Sequence, residues 1–336
     1  MRRVALDILL IVALAGMPSA AVQAEDPPFA KLLPSTVWVE YPKESEIKIG
    51  TGSLVDREQR LVVTCLHVMH DNKQATVYFP IQTQNGLTVN ASDYLRGKSG
   101  ITGRVVATDA DRDLAVLQLD RVPAGVPAVE LADRAPAPGT PVFAIGNSTG
   151  AAKTIAQAKL WNHYSSKVNR LAFSTQTLEN DGNRQVHTWA IVLEDRVSPG
   201  DSGGPLVDAK GRLTGVVFAQ DKDHGYAIDV EEVRLVLDRY RHPNEPSRQN
   251  PLTGRWTVQV QPKDKPVGYF RVNFQDDGRL DWITNKTFTG QFELKQDRLK
   301  LVVPSLKVNE TVTIDRTGDD KFSFLSGGVQ FTVTRR

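Results

Sequence analysis

Between residues 31 and 120 the sequence is a succession of short strand-like runs. TVWVEY (36–41) alternates apolar and polar residues, and GTGSLVD (50–56) opens an apolar run with two glycines. RLVVTCLHVM (60–69), ATVYFP (75–80), GRVVATD (103–109) and LAVLQLD (114–120) continue the series. Gly, Pro, Asp and Asn punctuate them, as expected of strands joined by turns. A Pro-, Ala- and Gly-rich connection spans 122–140. A second set then follows: PVFAIGN (141–147), AKTIAQAKLWNHY (152–164), HTWAIVLE (187–194), GGPLVD (203–208), LTGVVFAQ (213–220) and GYAIDV (225–230). Two β-rich halves joined by one connection predict an all-β fold of two packed six-stranded antiparallel barrels.

The period changes at DVEEVRLVLDRYR (229–241). Val230, Val233, Leu235, Val236, Leu237 and Tyr240 favour a helical face over alternation, with acidic residues first and basic ones last, which suits the helix dipole. HPNEPSRQNP (242–251) reads as a linker. The segment 252–336 alternates repeatedly (WTVQV, YFRVNF, QFELK, RLKLVV, TVTID, KFSFL, VQFTVT), with Asp- and Gly-containing turns between. It is expected to form a smaller antiparallel β domain, a sheet or small barrel.

The first 24 residues have another character. Arg2 and Arg3 precede an apolar run from Ile8 to Ala15, and Val22-Gln23-Ala24 fits a small-residue cleavage site. This is the layout of a secretory signal. It predicts a mature body of 25–241, a linker and the tail domain, in the periplasm or secreted. A membrane association is expected only if that signal stays uncleaved. The 336-residue chain has a formal charge of +2, which gives no sign of a nucleic-acid partner. Cys65 is the sole cysteine, so no intramolecular disulfide forms. An exported chain with one cysteine suits a bacterial envelope better than an animal secretion.

Three short texts carry candidate chemistry: TCLHV with His67, DRDLAVLQL with Asp113, and VSPGDSGGPLVD with Ser202. The first two lie in the first β-rich half and the third in the second, so a cleft between the halves is where they would converge. Serine is a weak nucleophile until a base takes its proton. Histidine titrates near neutral pH and can do so. A buried carboxylate fixes the imidazole tautomer and stabilises the imidazolium. The backbone N–H groups of Gly200 and Ser202 can face one developing oxyanion. Asp109 and Asp111 compete with Asp113, but only Asp113 directly precedes an apolar strand. The bland alternative for Ser202 is a structural serine in a Gly-rich turn.

On these motifs the chain resembles a trypsin-fold (chymotrypsin-like) serine protease, and most the bacterial HtrA/Deg-type branch. GTGSLVD, VVTCLHV, DLAVLQL, PVFAIGN, SPGDSGGPLVD, GRLTGVV and GYAID stand in family order from about residue 33 to 240. The resemblance implies that His67 is the general base, that Asp113 orients it, and that Ser202 attacks. It also implies peptide-bond hydrolysis through an acyl-enzyme on protein or peptide substrates, with no cofactor and no metal. Three departures stand out. Val68 follows His67 where animal enzymes have cysteine. Asp201 precedes the nucleophile where the branch usually has Asn; in the digestive branch that Asp pairs with a newly cut N-terminal ammonium. The tail does not look like a PDZ domain, and its LTGRW (252–256) resembles the opening Gly-x-Trp of lipocalin-like barrels.

Other reactive side chains receive plainer readings. His70 lies three residues from His67, with Asp71 next, which would offer a metal pair, but no HExxH or cysteine cluster supports it and a solvent-facing loop histidine is expected. His163, His187 and His224 are isolated, with His224 near the cleft. Cys65 reads as a small buried apolar residue. Arg196 would favour acidic substrates only if it pointed into the primary pocket; the expectation is solvent. Two rival functions remain: a catalytically inactive protease-fold peptide binder of the envelope, and a binding protein whose tail is the active part.

Overall fold

The computed structural model describes residues 27–43, 46–148, 160–178, 181–242, 252–262, 266–275, 277–284, 286–318 and 320–335. The expected secretion signal lies outside these residues, as does the expected linker apart from His242.

A short helix α1 (Phe29–Leu32) leads into the first barrel. Its strands are β1 (Thr36–Lys43), β2 (Glu46–Asp56), β3 (Leu61–Cys65), β4 (Gln74–Tyr78), β7 (Ile101–Asp109) and β8 (Leu114–Leu119). They close in the order β1-β2-β3-β8-β7-β4, all antiparallel. A helical turn α2 (Leu66–Met69) follows β3. Between β4 and β7 lie the small ribbon β5 (Gln82–Thr83) and β6 (Gly86–Leu87), then helix α3 (Ala91–Gly97).

The second barrel contains β9 (Pro141–Gly146), β10 (Asn162–Leu178), β11 (Arg184–Leu193), β12 (Pro205–Val207), β13 (Leu213–Gln220) and β14 (Gly225–Asp229). It closes as β10-β11-β14-β13-β12-β9. The fold is therefore all-β with two six-stranded barrels, and closure leaves neither barrel a free sheet edge. Strands β3 and β14 are buried at every position, which explains why these runs carry no regular polar alternation. One apolar cluster joins Trp38, Leu54, Val63 and Leu117 of the first barrel to Ile145, Ala190, Val216 and Phe218 of the second. The two barrels thus share packing where their strands meet.

Helix α4 (Val230–Arg241) starts at Asp229, whose carboxylate accepts the Glu231 N–H. Val233, Val236 and Leu237 face the barrels, as their spacing predicts. The tail is a nine-stranded meander: β15 (Gly254–Gln261), β16 (Gly268–Phe274), β17 (Arg279–Ile283), β18 (Thr287–Lys295), β19 (Arg298–Val303), β20 (Val308–Thr313), β21 (Asp315–Gly318), β22 (Lys321–Ser326) and β23 (Val329–Arg335). The sheet order β20-β19-β18-β17-β16-β15-β23-β22-β21 places the tail's first and last strands side by side. Trp256, Phe270, Phe274, Leu299, Phe322 and Val333 build a core that is separate from the barrels. Side chains nearly fill it: the cavity they line measures about 20 Å³.

The sheet docks on the second barrel through polar and aromatic contacts. Trp189 Nε1 donates to Thr257 Oγ1 at 3.1 Å, and Phe173 stacks on Tyr269. Arg271 is the hub. It reaches Asp229 at 2.6 Å and Glu231 at 3.0 Å, and its guanidinium lies 4.6 Å from the Trp189 ring centre. A cleft of about 660 Å³ with mixed charges opens at this junction. Among the described residues no helix is long and apolar enough to cross a membrane.

Candidate active site

His67 and Asp113 meet because of strand register. In the β3–β8 pair, Cys65 stands opposite Leu114. The residue that enters β8 therefore faces the residues that leave β3. Leu66 N–H donates to Asp113 O at 2.9 Å and His67 N–H to Asp113 Oδ1 at 2.9 Å. Asp113 Oδ2 then sits 2.6 Å from His67 Nδ1, with Asp113 fully buried and His67 nearly so. This contact fixes a tautomer with the proton on Nδ1 and leaves Nε2 as the free base. Burial by itself would raise the Asp113 carboxyl. The charge and hydrogen bonds of His67 and Arg184 outweigh it and hold the group below its ordinary value.

Ser202 comes from the second barrel, on the turn between β11 and β12. Asp201 N–H donates to Ser198 O, and Gly204 N–H to Asp201 O, which winds residues 198–204 tightly. Gly200 has φ +97°, and a Cβ there would lie 2.4 Å from the Asn147 carbonyl oxygen. Both the turn and the close approach therefore need glycine. Thr51 of β2 anchors this turn to the first barrel. Its N–H donates to Ser202 O and its hydroxyl to Gly200 O, each at 2.8 Å. The same hydroxyl accepts the Asn147 N–H at 3.0 Å. Among the described residues the backbone N–H groups of Gly200 and Ser202 have no protein acceptor, whereas that of Gly203 donates to Val217 O. Two unspent donors on one rigid turn are what an oxyanion site requires.

His67 and Ser202 open into one cleft of about 440 Å³, also lined by Leu178, Val197, Phe218 and Gln220. Ser202 Oγ has only a 3.5 Å contact to Phe218 O, at the edge of hydrogen-bond range, and is not bonded to His67. The hydroxyl is thus held by no strong hydrogen bond in this cleft, which His67 also lines.

The other expectations separate cleanly. Asp109 pairs with Arg112 and Arg239, and Asp111 is exposed, so neither reaches the imidazole. His70 pairs with Asp181 at 3.2 Å. Arg196 is exposed and does not line the cleft, where Val197 stands instead. Cys65 is buried, and burial, with Asp113 nearby, pushes its thiol well up. Cys65, His67 and Asp113 bring potential metal-ligand atoms within 4.8 Å of one another. The imidazole Nδ1 and both Asp113 oxygens are already bonded, so this cluster gives no independent case for an ion. Asp201, beside Ser202, is buried with one oxygen on the Ser198 N–H and the other unpartnered among the described residues.

Three contributors lacked a sequence signal of their own. Thr51 lay inside the GTG text and Asn147 ended PVFAIGN, but only the folded chain shows them holding the Gly200 turn. Arg184, which contacts Asp113 at 2.5 Å, belongs to no motif at all.

The match to known proteins now has a geometry to rest on. Residues 50–216 match the trypsin-like peptidase domain family. This chain carries a trypsin-like peptidase domain. Its relatives are HtrA/Deg-type serine proteases. The chloroplastic Protease Do-like 1 of Arabidopsis thaliana is 29% identical over 58% of the chain and 40% of its own length. An HtrA-like serine protease of Staphylococcus epidermidis is 25% identical over 62% of the chain and 33% of its own length. The serine protease PepD of Mycobacterium tuberculosis is 27% identical over 67% of the chain and 47% of its own length. The alignments thus span less than half of the length of these relatives. Among solved structures, the active form of the Rv3671c protease of M. tuberculosis superposes with a TM-score of 0.50 at 22% identity, over 65% of the chain and 85% of that structure. That likeness speaks for the fold.

Proposed function

We propose that the chain is a serine endopeptidase that cleaves proteins or peptides through an acyl-enzyme. The observation that carries this reading is the buried His67–Asp113 pair, which shares a cleft with Ser202 and with the two unspent N–H groups of its turn. Ser202 Oγ attacks the scissile carbonyl carbon while His67 Nε2 takes its proton. The carbonyl oxygen becomes an oxyanion that accepts from the Gly200 and Ser202 N–H groups. Collapse breaks the C–N bond, and the imidazolium returns the proton to the departing amine. Water, deprotonated by His67, then releases the acyl group and restores Ser202. Asp113 stays ionised throughout and stabilises the imidazolium. No step calls for a cofactor.

The apolar cleft walls Leu178, Val197 and Phe218 favour an uncharged side chain before the scissile bond. The accompanying organisation is a signal at 1–24, a protease body at 25–241, a linker at 242–251 and a tail domain at 252–336. With it goes export to the periplasm or beyond. The resemblance to HtrA-type relatives and the charged, apolar, small-residue layout of the N-terminus support it.

A fluorophosphonate probe tests the function. Labelling of the wild type and not of Ser202→Ala, together with casein cleavage, is the expected outcome. The rival reading, an inactive peptide binder, draws on the missing His67–Ser202 hydrogen bond. A folded wild type with neither labelling nor cleavage would establish it instead.

A further inference from the structure

Asp113 enters the site on a strained turn. Its φ is +58°, in the left-handed region that residues with a side chain adopt only under strain. The turn that precedes it is gripped from the other barrel. Arg184, the first residue of β11, donates through Nη1 to Ala110 O at 2.7 Å and through Nη2 to Asp113 Oδ1 at 2.5 Å. Three residues on, His187 N–H donates to Asp111 O at 2.8 Å. Arg184 is itself held, since its Nε donates to Asp181 Oδ2 at 2.7 Å. Asp181 Oδ1 in turn faces His70 Nδ1. We infer that Arg184 is a positioning residue for the proposed His67–Asp113 pair, a guanidinium from the second barrel that fixes the orientation and the negative charge of Asp113.

The donor geometry requires arginine. One planar fork satisfies a carbonyl, a carboxylate oxygen and a second carboxylate, and a lysine ammonium on a flexible stem cannot reach all three at once. With Arg184 in place Asp113 Oδ1 accepts two hydrogen bonds, from the His67 N–H and from Nη2, while Oδ2 faces the imidazole. The carboxylate therefore has no second orientation that keeps these partners. The other charges around the turn are balanced elsewhere: Arg112 bonds Asp109 and Glu232, and Arg239 bonds Asp109. Cys65 lies close by but is held as a neutral thiol by burial. Among the described residues Arg184 is thus the cation that faces the pair directly, with Asp181 partly offsetting it.

The consequence for His67 has a definite sign. A cation beside Asp113 opposes formation of the imidazolium. Removing it takes a hydrogen bond and a balancing charge from Asp113, which strengthens the pull of the carboxylate on the imidazolium and moves the acid limb of kcat/KM to higher pH. A residue that merely holds the barrels together would leave that limb in place.

The inference rests on the endopeptidase reading, and the experiment separates the two. In the full chain, Arg184→Met is expected to lower kcat by about tenfold or more with KM changed less than about twofold, and to move the acid limb to higher pH. Arg184→Lys, which keeps the charge, should retain the wild-type limb and recover part of kcat. Wild-type kcat and pH profile in both variants would overturn the inference, as would equal kcat losses with an unmoved limb. The His67 ring titration, followed by NMR in a Ser202→Ala background with and without Arg184→Met, needs no turnover. An upward shift there supports the role of Arg184 even if the wild type proves unable to cleave peptides; an unmoved titration refutes it. Should the Met variant fold poorly by circular dichroism, Arg184→Gln is the substitute, with the same shift expected.

Discussion

Asp201 gives the sharpest test of how this fold treats a carboxyl group. It is 3% exposed, and its Oδ1 packs against Gly146 so closely that a Cβ on that glycine would lie 2.0 Å away. Burial pushes its pKa from 3.8 up to about 7, and the hydrogen bond from Ser198 N–H offsets only part of that. In the unfolded chain the group titrates near its ordinary value. Between about pH 4 and pH 7 the folded protein therefore keeps a proton that the unfolded chain has lost. Stability must fall as pH rises through this window, by about 1.4 kcal/mol per unit and roughly 4 kcal/mol in all. The substitution Asp201→Asn supplies a side chain that is neutral at every pH and can still accept from Ser198 N–H. Urea unfolding of Ser202→Ala and of Ser202→Ala with Asp201→Asn, at pH 5 and pH 8, isolates the effect without autolysis. The parent should lose about 3 kcal/mol more than the Asp201→Asn variant across that interval. Parallel losses within about 0.5 kcal/mol would falsify the argument. A variant less stable than its parent at pH 8 would instead show a cation paired with Asp201 in the folded protein.

Two further outcomes follow from the same contacts. Gly200→Ala places a methyl group into the Asn147 carbonyl at a positive φ, so the turn must shift and its N–H groups leave the proposed oxyanion position. The rate, kcat/KM on a peptide substrate, should drop by roughly 100-fold or more. Arg271→Met leaves Asp229 fully buried with its cation gone; a loss of about 3–5 kcal/mol is expected in urea unfolding of the full chain, and a loss below about 1 kcal/mol would mean that Asp229 is neutral there.

Much of the candidate site was legible beforehand, and the reasons are local. The glycines around Ser202 obey backbone sterics, so they recur wherever such a turn must bring two N–H groups together. Asp113 stands directly before an apolar strand, and His67 directly after one. Strand pairing alone brings those two ends together. The helix was legible through its apolar period and its acidic-to-basic charge order, whereas the Asp229 cap emerged from the structure. The tail was expected as an antiparallel β unit, and its nine-strand order, with first and last strands adjacent, was not readable from alternation. Alternation fixes which face of a strand is buried, and leaves open which strand is its neighbour.

The sequence by itself determined the all-β character, the helix after it, and a serine, a histidine and an aspartate in motifs that suit one chemistry. These rest on periodicity and on backbone freedom, which act within a few residues. Tertiary structure alone decided which groups hold those three. Thr51 reaches Gly200 across 149 residues, and Arg184 reaches Asp113 across 71. Such contacts depend on how two closed barrels face each other. A lone threonine or arginine carries no mark of the partner it will meet. The same holds for Asp201: its place beside Ser202 was plain in the text. Its proton depends on what surrounds it, and burial against Gly146 is a property of the packed barrels.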